Sequence, residues 1–341
     1  MDRSFELAVV GATGVVGREL VGALAQAGHP SERVRLLASE RSAGEELPFG
    51  DETLEVETAN ADRLRGTRLV FFATPADVSR TLAQVAEAGG ALVIDTSRAF
   101  LSDLRTPVAF PRVQGAGLGR VPGARRFRVP GPVSQTILAC LEPLRAAAGL
   151  REVHVSALIS SSGAGRQGVA ELEQQTAGLL AARELEPTHF PHRLGFNLVP
   201  QVGPFSEGSG STLEELSWRA ETGLLWGRAA PALDGTAVWV PTFYGDLVLM
   251  HVRLGRAMAP GEARQLLQSA PGVKVLDVPG ERVYPMPMLV TADDAIHVGR
   301  IRAFAGSADA LELVAAIDNA GATARLCLEV AELVSQAPVT N

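Results

Sequence analysis

The segment Leu7-Ala-Val-Val-Gly-Ala-Thr-Gly-Val-Val-Gly-Arg-Glu-Leu20 constrains this chain more than any other stretch. An apolar run leads into a Gly-rich turn, and Val15, Val16 and Leu20 then recur at helical spacing. Gly11, Gly14 and Gly17 let the chain turn sharply at the strand end, let the backbone approach a pyrophosphate, and let the new helix pack closely. The helix start then offers free N–H groups and a positive dipole end to the anion. This strand, turn and helix context favours dinucleotide binding over a merely structural turn.

The run Val34 to Ala38 reads as the second parallel strand, and it ends in Ser39-Glu40-Arg41-Ser42. An acid there favours a free ribose 2′-hydroxyl, whereas an arginine flanked by hydroxyls suits a 2′-phosphate. Both residue types are present, so NAD and NADP stay open, as does Arg41 as a solvated loop charge. Ser39 and Ser42 beside Arg41 tilt the reading to NADP.

At 341 residues the chain has the length of about two domains. Its 31 basic and 38 acidic residues give a net charge of -7, which argues against a nucleic-acid or anionic-membrane partner. Lys274 is the only lysine, and it stands in a strand-like run, Gly272 to Leu276, without another catalytic cue. The first residues carry Asp2 and Glu6 rather than a basic and apolar leader, and no apolar run approaches the roughly 20 residues of a membrane span. A cytoplasmic protein is expected. Two cysteines, Cys140 and Cys327, make neither a disulfide framework nor a metal site. His189 and His192 flank a Phe-Pro pair with no further ligand near, so no metal is expected.

Strand-like runs recur at 7–10, 34–38, 69–73 and 91–95, with helical patterns between them, notably Val78 to Ala88. This alternation specifies an α/β domain with a doubly wound parallel sheet and right-handed crossovers. The strand ends Ala73-Thr74-Pro75 and Thr96-Ser97 would rim a cofactor crevice. A Gly/Pro-rich stretch at 115–132, including Pro122, Pro130, Gly131 and Pro132, marks a domain boundary. Beyond it, longer alternating strands at 153–161, 237–240 and 246–254 and helices at about 167–182 and 212–225 indicate an α+β domain with a large, mostly antiparallel mixed sheet. An amphipathic helix, Ala320 to Ser335, closes the pattern with Leu326, Val330 and Leu333 on one face.

Several motifs occur in a fixed order: Gly11-Ala-Thr-Gly-Val-Val-Gly17, Ala38-Ser-Glu-Arg-Ser-Ala-Gly44, Ser162-Gly-Ala-Gly165 with Glu171-Leu172 and Gln175-Thr176, Phe196-Asn-Leu-Val-Pro-Gln201, Tyr284-Pro285, Val298-Gly-Arg-Ile-Arg302 and Asp318-Asn319. With them the chain resembles the aspartate-β-semialdehyde dehydrogenase family from end to end, in the form of a bacterial paralogue that is cysteine-less at the catalytic position. The resemblance implies a Rossmann domain of residues 1–130 with 316–341, a dimerisation and substrate domain of residues 131–315, and a homodimer. It also implies NADP contacts from Thr13, Gly14, Val15, Val16, Arg41, Ser42, Ser162, Gly163 and Asn319, beside Gly11, Gly17 and Ser39.

That family reduces an acyl phosphate with NADPH. A cysteine thiolate displaces phosphate to form a thioester, hydride reaches the thioester carbon, a histidine manages the protons, and arginines and a lysine hold the substrate's anionic groups. Thiolate chemistry suits the task because cysteine is partly ionised near neutral pH. Here the matching positions depart one after another. The Asn-Cys-Ser/Thr turn falls on Pro130-Gly-Pro-Val-Ser-Gln-Thr136, the substrate arginine on Trp239, the histidine of a Gly-His pair on Asp246, and a glutamine on Ile159. The acid of a Glu-Glu-x-Lys helix remains as Glu214, its lysine becomes Ser217, and a phosphate-binding arginine becomes Leu101.

A lost general acid or base costs about 10² to 10⁴ in rate, whereas a lost nucleophile removes the covalent route itself. Ser134 reads as the N-cap of a helix from Gln135 to Leu144 rather than as a nucleophile, because no paired base is evident. Cys140 and Cys327 read as core. His251 stands at an odd offset from Asp246 and so on the opposite strand face. Asp246 reads as a polar residue at a turn after Gly245, or as an acid or base for an unrelated ligand. No catalytic residue is assigned; Ser134, Ile159, Trp239 and Asp246 match the family's site. The leading expectation is an NADP-binding homologue without thioester chemistry. An oxidoreductase for a different aldehyde or oxo substrate, and a regulatory or structural partner of an active dehydrogenase, are the alternatives.

Overall fold

The computed structural model describes residues 6–335 except 104, 121, 122, 184 and 292, so Asp2 and Pro122 lie outside the described residues. The chain divides into two compact units, one of residues up to Pro130 with those from Thr323 onward, the other of residues 131–322. Among the described residues no helix is long and apolar enough to cross a membrane.

The first unit runs β1 (Leu7–Val10), α1 (Val15–Gln26), β2 (Val34–Ala38), β3 (Glu46–Phe49), β4 (Glu52–Thr58), β5 (Leu69–Phe72), α2 (Ala76–Ala88), β6 (Leu92–Asp95), α3 (Pro111–Gln114) and β7 (Arg126–Arg128). Its seven strands lie in the order β3-β4-β2-β1-β5-β6-β7. All neighbours pair in parallel except β3 with β4. The parallel strands therefore follow the dinucleotide-binding order, which reverses direction beside β1. Every residue of β1 is buried, as expected of a strand covered on both faces. Ala8, Val10, Leu37, Val70, Phe72 and Val93 pack with Ala83 and Ala86 of α2 in one core.

The second unit runs α4 (Pro132–Ala148), β8 (Leu150–Ile159), α5 (Gly165–Leu180), α6 (Leu213–Trp226), β9 (Ala232–Trp239), β10 (Asp246–Leu254), α7 (Pro260–Gln268), β11 (Val273–Val275), β12 (Ile296–Ala303), β13 (Ala310–Ile317) and the start of α8 (Asn319–Ser335). Six strands form one mixed sheet, β11-β12-β13-β10-β8-β9. The three central pairings are antiparallel and the two outer ones parallel. Alternation in β10 buries Asp246, Val248, Met250, Val252 and Leu254 on one face. Helix α4 packs against β8, β10, β12 and β13.

One local expectation is corrected. Helix α4 starts at Pro132 with Gly131 as its N-cap, so Ser134 lies inside the first turn and caps nothing. Proline at the first helical position has the φ the helix needs and no N–H to satisfy, and it sets the start ahead of the serine. At the other end, β13 runs through Ile317 within the second sheet and α8 begins at Asn319. Residues from Thr323 onward fall in the first compact unit.

Candidate functional site

In the first unit, Gly11 has φ +89°, and a Cβ there would stand 2.2 Å from the Ala73 carbonyl oxygen. A Cβ at Gly17 would lie 2.0 Å from the Gly11 carbonyl oxygen. Neither position accepts a side chain. The amides of Gly11 and Ala12 both donate to the Leu37 carbonyl, at 2.7 and 3.0 Å, which ties the turn to β2. Gly14, the N-cap of α1, is extended and brings no side-chain cap, and the first turn holds no acid. The unsatisfied amides and positive dipole end thus lack a carboxylate of the helix itself and fit a pyrophosphate. Val15 and Val16 are half-buried at this helix start. Buried Thr13 donates its hydroxyl to Ser42 Oγ at 3.3 Å. Ser39, Glu40 and Arg41 are exposed on the turn after β2, a placement open to a ribose or its 2′-phosphate.

In the second unit, Asp246 opens β10 with 1% exposure. Its Oδ1 accepts the Ser160 amide at 2.9 Å and the Ser160 hydroxyl at 3.0 Å. Ser160 Oγ lies 2.9 Å from Ser162 Oγ, and the Asn319 Nδ2 donates to Ser162 Oγ at 2.9 Å. Burial raises the Asp246 carboxyl to about 7 against the hydrogen bonds from Ser160, with a smaller upward push from Glu214 and Asp318. The network thus joins Ser162, Asn319 and Asp246, all singled out in sequence, through Ser160, which was not. Asp246 is the first residue of the strand, as its apolar pattern indicated, and is buried rather than set in the turn after Gly245. The signal for Ser160 was the polar run Ser160-Ser-Ser162 at the end of an apolar strand.

Ile159 and Trp239 are paired in register at the ends of β8 and β9. A Cβ at Gly163 would meet Ile159 Cγ2 at 2.9 Å and Trp239 Cζ3 at 3.2 Å, so Gly163 lies flat on this pair. Trp239 packs edge-on to Phe190 with ring centroids 5.3 Å apart. Beside them opens a cleft of about 440 Å³. The Ser134 hydroxyl is buried and has no hydrogen-bond partner. Glu214 accepts the Trp218 indole N–H at 2.9 Å, and Ser217 donates back to the Glu214 carbonyl at 2.7 Å. Leu101 is half-buried in a turn.

Both cysteines are buried. Burial, aided by the charge of Asp95, pushes the Cys327 thiol far above its usual range. Asp95 ends β6 fully buried, and burial raises its carboxyl to about 6 despite hydrogen bonding from Ser97. His251 faces away from Asp246, with its ring edge-on to Phe304 at 4.6 Å. His189 binds the Ala164 carbonyl at 3.0 Å. Lys274 bonds Asp293 at 2.7 Å. Among the described residues no group of three or more His, Cys, Asp or Glu is placed to hold a metal ion.

Comparison with known proteins agrees with this architecture. The NAD binding domain of semialdehyde dehydrogenases matches residues 6–121, and their dimerisation domain matches residues 141–320. The aspartate-semialdehyde dehydrogenase of Bacillus subtilis (strain 168) is 34% identical over 329 residues, 94% of each chain. A USG-1 protein homolog of Pseudomonas aeruginosa is 34% identical over 310 residues, 91% of this chain and 90% of that one. The crystal structure of aspartate semialdehyde dehydrogenase II from Vibrio cholerae, complexed with ASA, superposes with a TM-score of 0.90 at 27% identity over 98% of each chain. Two units with the sheet orders described, a nucleotide-binding glycine turn and family matches over both halves make this chain a member of the semialdehyde dehydrogenase family.

Proposed function

We propose that this chain binds NADP, forms a homodimer and does not carry out the thioester chemistry of its relatives. The observation that carries the reading is the start of α4, where the sequence Gly131-Pro-Val-Ser134 supplies no thiol and a buried serine hydroxyl without a base. A nucleophile needs exposure and a proton acceptor, and Ser134 has neither. Asp246, at the position matching the family histidine, is sealed and bonded to Ser160, and Trp239 puts an indole where an arginine would hold an anion. The uncapped helix α1 and the crowded glycines support a dinucleotide at the first unit, and Arg41 in Ser39-Glu40-Arg41-Ser42, with a serine on either side of the Glu40-Arg41 pair, favours NADP. When bound, that cofactor would supply or accept a hydride; the chain's own part is to hold its phosphates and ribose.

Calorimetry with NADPH, followed by an assay of phosphate-dependent oxidation of aspartate semialdehyde, tests the reading. Micromolar NADPH binding without turnover is the expected result. Turnover at the rate of the active relatives, or a covalent adduct trapped on any side chain, overturns it.

A further inference from the structure

We infer that the cleft beside Trp239 is a binding site for an uncharged ring compound carrying a hydrogen-bonding group. The inference rests on the preceding reading, that this site no longer serves an anionic substrate. Its walls are apolar and fixed. Trp239 and Phe190 are 7% and 4% exposed and brace each other edge-on, while Pro191 and Pro204 add surfaces with little freedom to lose. The volume of about 440 Å³ lies in the range of small-molecule sites, roughly 300–1,000 Å³.

The polar lining is sparse. Gln201 brings an amide and His189 an imidazole whose Nε2 is already engaged with the Ala164 carbonyl. Among the described residues that line the cleft there is no arginine or lysine. A carboxylate or phosphate placed there would lose water and gain no arginine or lysine counter-charge from these side chains. A neutral ring meets the small accessible parts of Trp239 and Phe190 and the two prolines at van der Waals distance, and a carbonyl or amide on it has Gln201 as a partner. The same substitution that removes the anion clamp therefore creates a different selectivity.

The test uses the full chain and titrates benzamide and toluene as uncharged probes against succinate and inorganic phosphate as anionic ones, read by saturation-transfer NMR and tryptophan fluorescence. Benzamide is expected to bind saturably in the micromolar to low millimolar range, and succinate and phosphate not to compete with it. Gln201→Leu should weaken benzamide by roughly three- to tenfold, the loss of one hydrogen bond, while leaving toluene unchanged. Trp239→Arg should weaken both rings and admit succinate; circular dichroism confirms that the variant folds, and Gln201→Leu stands independently where it does not. Benzamide that fails to saturate, is indifferent to Gln201→Leu, or is displaced by succinate overturns the inference. Failure here with no aspartate semialdehyde turnover sinks only the ring-ligand assignment, whereas turnover sinks the reading beneath it.

Discussion

Asp246 shows how one buried carboxyl can be held by its surroundings and still leave a mark on stability. Two donors from Ser160 favour its charged form, yet full burial outweighs them and lifts its titration to about 7. Between its unfolded value near 4 and about 7, the folded protein binds more protons than the unfolded chain, so this group makes stability fall as pH rises through that window. The contribution is full below the window and lost above it. Its upper bound is on the order of 4 kcal/mol. Asn at this site keeps an oxygen for Ser160 and cannot ionise. We expect Asp246→Asn to gain on the native protein in melting temperature on going from pH 5 to pH 8. The comparison must be a difference, because Asp95 titrates with the same sign. Melting curves that shift in parallel for the two proteins would show that Asp246 carries no such linkage.

At the level of elements, the glycine turn is fixed by close contacts rather than by flexibility. Gly17→Ala drives a methyl into the Gly11 carbonyl, an overpacking of about 1–3 kcal/mol, and shifts the amides at the start of α1. Melting temperature and NADPH affinity should drop together, the latter by tenfold or more. Thr212→Ala removes the capping box of α6 in the other unit and should cost about 1 kcal/mol with nucleotide affinity unchanged. Equal nucleotide affinity in both variants would dissociate the turn from binding. Where apolar residues dominate or alternate along a short run, the sequence marked elements closely: Val34–Ala38 and Asp246–Leu254 have the ends read from pattern alone. The hairpin of β3 and β4 escaped because Glu46, Glu52, Glu55 and Glu57 break its apolar signal, and Ala-rich β13 carries little strand propensity. Within the candidate site, the glycines were legible because their spacing is local. The tie from Ser160 to Asp246 spans 86 residues and is set by strand register, which no local motif encodes.

The whole molecule poses the question of what covers the outer face of the six-stranded sheet. Helix α4 packs on one face; on the other, Leu249 stays 38% and Phe304 42% exposed, with half-buried Leu247 and Val314 near them. His251 is opposite His154 across the β8 and β10 pairing, and Leu249 is opposite Ser156. A row of half-exposed apolar side chains on a sheet face is the kind of surface through which proteins associate, and the match to a dimerisation domain over residues 141–320 spans these side chains. A two-fold dimer uses one patch twice, so a charge placed at its centre is buried twice. Leu249→Asp should therefore raise the dimer dissociation constant by at least about 100-fold, on the order of 2.7 kcal/mol, as read by sedimentation equilibrium. Leu180, 77% exposed on α5, is the matched control, and Leu180→Asp should sediment like the native protein. A Leu249→Asp protein that remains as tightly dimeric as the control would move the interface off this sheet.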